Sequence, residues 1–229
     1  MKHTKILALL LALCLTMTLL VGCNSNKKEE EIFDKSEEAF QKITEAYMMI
    51  NTYSQDIYNA WRLGINNKSR YDEGGSELKA FAGELHIDYE SVALAIGSLL
   101  GKDSYKSGDW ENLQKLYNGS FFSACVDVVS EAYVVDGTVK KISNLLTEAK
   151  TLMKEIGDEY SDYVHYPDLK EYFTNTLAFF DFCQNPEGSF EQVVETFNNY
   201  RNTAREKFFD LNYIFEDSID GMNVQRKIF

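Results

Sequence analysis

FFSACVDVVSEAYVVDGTVKKISNLLTEAKTLMKEIGDEYSDY, residues 121–163, decides the fold. Along it Phe121, Cys125, Val128, Ala132, Val135, Val139, Ile142, Leu146, Ala149, Met153, Ile156, Tyr160 and Tyr163 recur at alternating steps of four and three. That rhythm puts all of them on one seam of an α-helix, in the spacing that coiled-coil-like bundles use. A single helix of this length runs about 65 Å. The remaining faces carry Asp127, Lys140, Lys141, Glu148, Lys150, Lys154 and Asp158, so the seam needs partner helices rather than a sheet.

Partners lie on both sides. Upstream, Phe33, Phe40, Ile43, Tyr47, Ile50, Ile57 and Trp61 step by threes and fours, with Ser36 and Ser54 filling the same seam. Gly64 and Asn66-Asn67 end that helix. Downstream, Pro167 suits a first helical position, and Leu169, Tyr172, Phe173, Thr176, Leu177, Phe180 and Cys183 continue the pattern. Gln184-Asn185-Pro186-Glu187-Gly188 interrupts it, with Asn185 placed to cap the next helix. That last helix, over about 189–217, carries Phe190, Val193, Phe197, Tyr200, Ala204, Phe208, Leu211 and Phe215.

Between the first helix and the seam, residues 68–119 are punctuated by glycine. The pattern there predicts three short helices: about 76–86, 88–101 capped by Asp88, and 109–118 capped by Asp109. The middle one is apolar nearly all round and is expected to be buried. The fold class is therefore all-α. An elongated up-down-up bundle over 32–217 carries the short-helix insertion 68–119, and 218–229 form a frayed C-terminal tail.

The chain opens with Lys2 and Lys5, an apolar run Ile6–Val21, and Gly22-Cys23. A basic start followed by such a run is the anatomy of a secretion signal over 1–22. Leu20-Val21-Gly22-Cys23 resembles the lipobox of bacterial lipoprotein precursors. The resemblance covers only this first tenth or so of the chain. It implies cleavage before Cys23, a diacylglyceryl group on its thiol, and a domain anchored on the extracytoplasmic face of the cell membrane. Two acyl chains suffice for stable attachment. Residues 23–31 are then a lipidated polar linker, and 92–100 are too short and too interrupted to span a bilayer.

In this topology the first helix rises from the lipid, the seam helix returns, and the last segment climbs again. The insertion and the C-terminal tail are expected to share the end furthest from the membrane. Tyr105, Trp110, Tyr117 and Tyr213 are the candidate surface there, first for docking a protein or envelope partner and alternatively for a ligand. Aromatic density over 160–215 exceeds what one seam needs, and reads as bundle core or as an aromatic cleft beneath the insertion for a small apolar or sugar ligand.

Charge and chemistry narrow the function. The chain carries −13, and losing Lys2 and Lys5 with no acid leaves the mature form at −15. Such a surface repels nucleic-acid phosphates. His86 and His165 lie far apart, with no metal-ligand spacing near either, and no metal or other cofactor is expected. Glu216-Asp217-Ser218-Ile219-Asp220-Gly221 begins like a calcium loop, yet the twelfth position is Lys227 where a bidentate Glu is required. Nucleophile and phosphate-loop motifs are absent, so the reading is non-enzymatic. Counted outward from the turn near 165, Cys125 and Cys183 differ by about 22 residues, or about 33 Å along the bundle, too far for a disulfide.

Overall fold

The computed structural model describes residues 2–66, 81–85, 87–106, 109–117, 121–160 and 162–215. Side chains are described from Lys27 onward, those of Asn66, Trp110, Gln114, Phe121 and Phe122 excepted. Helices α1 (Lys2–Asn66), α2 (Tyr89–Leu99), α3 (Asp109–Leu116), α4 (Phe121–Val135), α5 (Thr138–Glu159), α6 (Tyr166–Gln184) and α7 (Phe190–Asn212) pack against one another, with no strand among the described residues. From Lys27 onward, where side chains are described, no helix is long and apolar enough to cross a membrane. The side chains of the expected signal, residues 76–80 of the expected first short helix and the tail 218–229 lie outside the described residues.

The protein is an all-α helical bundle organised on α1. Phe40, Ile43, Tyr47, Ile50 and Ile57 are fully buried along one stripe of it. Each such burial contributes about 1.5–3 kcal/mol. Residues 24–31, expected as a solvated spacer, continue α1 without a break. Lys27, Lys28, Glu29, Glu30 and Glu31 are good helix formers with no Gly or Pro among them, and Glu31 meets Lys35 one turn on at 3.2 Å.

The seam predicted over 121–163 is buried at Cys125, Val128, Ala132, Ile142, Leu146, Ala149, Met153 and Ile156. It is not one helix. Gly137 takes φ +83°, a left-handed conformation that ends α4, and Asp136 Oδ1 accepts from the Thr138 amide at 2.8 Å to open α5. Val135 is 37 % exposed at this joint, and Val139 is only half-buried. The chain nevertheless keeps its direction. Asp56 meets Tyr133 at 2.6 Å, Glu45 meets Lys141 at 2.7 Å, Lys42 meets Glu148 at 2.6 Å and Lys35 meets Glu155 at 3.3 Å. Each step back along α1 is matched by a step forward along α4 and α5, so the two helices form one kinked strut antiparallel to α1.

The up-down-up path is present as α1, the α4–α5 strut and α6, and the chain then adds a fourth leg. At 185–189 it doubles back. Phe182 faces Phe197, Phe179 stacks on Tyr200 with ring centroids 5.3 Å apart, and Lys207 pairs with Asp168 at 2.9 Å. Helices α6 and α7 are thus an antiparallel hairpin. Asn185 caps the end of α6, and Ser189 begins α7 in a capping box with Gln192. In consequence Phe215 packs on Phe33 and Phe40, beside the start of the bundle. The chain up to Phe215 thus ends away from the inserted block, while the tail 218–229, expected to meet that block, lies outside the described residues.

The inserted block sits against α4. Asp88 caps α2 through the Ser91 amide at 2.9 Å, as the sequence predicts, and the Ser91 hydroxyl holds its carboxyl below the usual range. Asp109 is the first helical residue of α3 rather than a plain cap. Its carboxylate turns back to the Lys106 amide at 2.7 Å and to the Lys102 ammonium. Burial of α2 is one-sided: Val92, Ala95 and Ile96 are inside, while Leu94 is 44 % exposed. Cys125 and Cys183 are both buried and free.

Candidate functional site

Of the expected end-surface, Tyr105, Tyr117 and Tyr213 are described, and they do not come together. Tyr105 is half-buried against the core beside α2, and Tyr117 donates to Asp127 on α4. Tyr213 is 83 % exposed, at the C-cap of α7 two residues before Phe215, which packs on Phe33 at the opposite end of the molecule. The Trp110 side chain and that of Cys23 lie outside the described ones. The aromatic density of 160–215 goes into the core: Tyr172, Phe179, Phe197, Phe208 and Phe215 are fully buried against α1 and one another.

A groove opens elsewhere, between α5 and α6. It encloses about 620 Å³, within the range of small-molecule sites between bundle helices. Its origin is local. Toward α1, helix α5 presents Ile142, Ala149 and Met153, which fill the interface. Toward α6 it presents Ser143, Asn144 and Thr147, side chains too short to close over Phe173, Leu177 and Phe180. Those three, with Leu146 and Val139, make an apolar floor and wall. The Thr147 hydroxyl donates to the Ser143 carbonyl at 2.8 Å, leaving its lone pairs available to the groove.

Charge along the groove is unlike that of the chain as a whole. Its lining holds Lys140 and Lys150 against one acid, Asp181. Neither lysine makes an ion pair among the described residues, whereas Lys35, Lys42, Lys102, Lys141 and Lys207 all do. Asp181 lies toward the kink, where Gln184 also lines the wall; the Lys150 end, beside Phe173, has no acid in the lining.

The kink extends the recess. A second cleft of about 330 Å³ shares Val134, Val139 and Gln184 with the groove and reaches Leu99, Ser130 and Glu131. This is where a ligand cleft under the insertion was expected, yet Tyr53 is its one aromatic side chain, so the aromatic cleft is not formed there. A third recess of about 400 Å³ lies on the other side of the strut, among Met49, Thr52, Asp88, Tyr133 and Thr138.

Among the described residues no group of three His, Cys, Asp or Glu converges as a metal site. Burial pushes the Cys125 and Cys183 thiols above their ordinary range, which leaves little thiolate for nucleophilic attack. Arg201, whose pKa burial lowers, donates to Asn51 Oδ1 at 2.8 Å and Ser54 Oγ at 2.7 Å and serves to seat α7 on α1.

No family model matches this sequence, and neither a curated protein nor a solved structure matches it. The groove residues Lys140, Lys150, Leu177 and Phe180 were not among the sequence-predicted site residues. The signal that points to them is the polar strip of α5: between Thr138 and Lys154, Lys140, Ser143, Asn144, Thr147 and Lys150 share one side with no acid among them.

Proposed function

We propose that this chain is a lipid-anchored extracytoplasmic binding protein, acylated on Cys23, whose helical bundle captures a ligand without transforming it. The observation that carries the reading is the lipobox-like Leu20-Val21-Gly22-Cys23 at the end of a basic-then-apolar leader. Nine residues after Cys23 the buried core begins, at Ile32. In this reading the end with Lys35, His165 and Phe215 faces the bilayer and the inserted block points away.

The groove supports a ligand receptor over an end that docks a protein or envelope partner. It gathers an apolar floor and two unpaired cations in one place, whereas the aromatic residues expected to form a docking end lie at two ends of the molecule.

Metabolic labelling with an alkynyl fatty acid in a bacterial host tests the anchor. The wild-type chain is expected to take up label, to fractionate with membranes and to be digested by protease added to intact spheroplasts. Cys23→Ala is expected to lose the label. An unlabelled wild-type chain, or one protected inside the cell, overturns the reading.

A further inference from the structure

The structure assigns the α5–α6 groove an amphiphilic monoanion: an unbranched apolar chain ending in one carboxylate, the head at Lys150 and the chain running toward the kink. This rests on the ligand-receptor reading above and specifies what that receptor holds.

Three observations carry it. The lining has two ammonium groups and one carboxylate in a protein that is otherwise strongly acidic, so an anion is drawn to this strip and away from the rest of the surface. The cations are not equivalent. Asp181 and Gln184 share the kink end of the groove with Lys140, while Lys150 stands beside Phe173 and Thr147 with no acid in the lining there. One head group is therefore favoured at one end. Between the two lysines the groove runs about 15 Å along α5. Over that length Leu146, Leu177 and Phe180 offer apolar contact without a cationic partner. A chain with one charged terminus fits this pattern better than a compact polar solute, which would leave the floor unfilled.

The test uses the full chain in zwitterionic nanodiscs, with empty discs as the blank, and titrates dodecanoate by calorimetry. Dodecanol and dodecyltrimethylammonium are the neutral and cationic comparators. Dodecanoate is expected to bind at least about tenfold more tightly than either, the size of one charge-assisted contact. Lys150→Glu is expected to remove that preference and Leu177→Asp to abolish binding, with helicity followed by circular dichroism. Lys154→Glu makes the same charge change one turn beyond the groove lining and is expected to cost distinctly less than Lys150→Glu, since it removes no contact with the head.

Binding no stronger than to empty discs overturns the assignment, as does equal affinity for the cationic comparator. So does a loss in Lys154→Glu as large as in Lys150→Glu. If Leu177→Asp loses helicity, Leu177→Ser is used in its place. Acylation of Cys23 is read in the same preparation by fatty-acid labelling. A labelled chain that ignores dodecanoate therefore rejects this ligand alone, and an unlabelled chain that binds it rejects the anchor alone.

Discussion

Tyr133 donates its phenolic hydrogen to Asp56 Oδ2 at 2.6 Å inside the core, tying the last turns of α4 to α1 just above the kink. The Tyr133 ring also stacks on Tyr53, with centroids 4.4 Å apart. Tyr133→Phe keeps the stack and deletes the bond to a carboxylate. The expected loss is about 1.5–3 kcal/mol, read as a lower urea midpoint at unchanged m-value. A midpoint equal to wild type would show that the bond contributes nothing net.

Buried phenols make the fold sensitive to alkali. Burial raises the Tyr47 and Tyr53 pKa to about 12, and pushes Tyr172 and Tyr133 higher still, the latter also through the charge of Asp56. The unfolded chain releases these protons near pH 10, the folded chain only later. Their stabilisation is thus complete below about pH 10 and is lost as pH rises from there, through about 12 for Tyr47 and Tyr53, on the order of 2 kcal/mol for each of these two. Tyrosinate absorbance is expected to rise together with loss of helical signal. Full ionisation at pH 11 in a folded chain would contradict it.

At the kink, Gly137 has open space around its missing Cβ, so only its left-handed backbone opposes a side chain. Gly137→Ala is expected to cost about 1–2 kcal/mol and Gly137→Asn distinctly less, measured by thermal unfolding. Equal losses for both would point to packing rather than backbone conformation.

The hairpin turn has its own device. Ser189 Oγ accepts from the Gln192 amide and Gln192 Oε1 accepts from the Ser189 amide at 2.8 Å. Ser189→Ala is expected to cost about 1 kcal/mol, while Asn185→Ala, which removes no N-cap of α7, costs less. Urea midpoints of the two variants, measured side by side, check the order.

Much of the bundle was legible from spacing alone. The three-four seam named most of the buried residues of α4 and α5, Asp88 marked the start of α2, and Pro167 marked the first turn of α6. Periodicity is blind to direction, however. Gln184–Gly188 read as an interruption, yet only the pairing of Phe182 with Phe197 reveals that the chain reverses there. The break at Gly137 was hidden for a related reason: Val135 and Val139 stay in step across it, so the seam looked continuous. The groove was hardest to see. It arises where Ser143, Asn144 and Thr147 fail to fill a gap between helices, and a search for apolar stripes passes over short polar side chains.

Because α1 and α7 run antiparallel, Phe33 and Phe215 stand 5.4 Å apart. Tension applied between these two residues therefore enters and leaves the bundle on one side. It peels the helices apart one ring contact at a time, first at Phe33, then at Phe40, and last at Trp61 against Phe190. The molecule unzips under load instead of shearing, and yields at low force from that end.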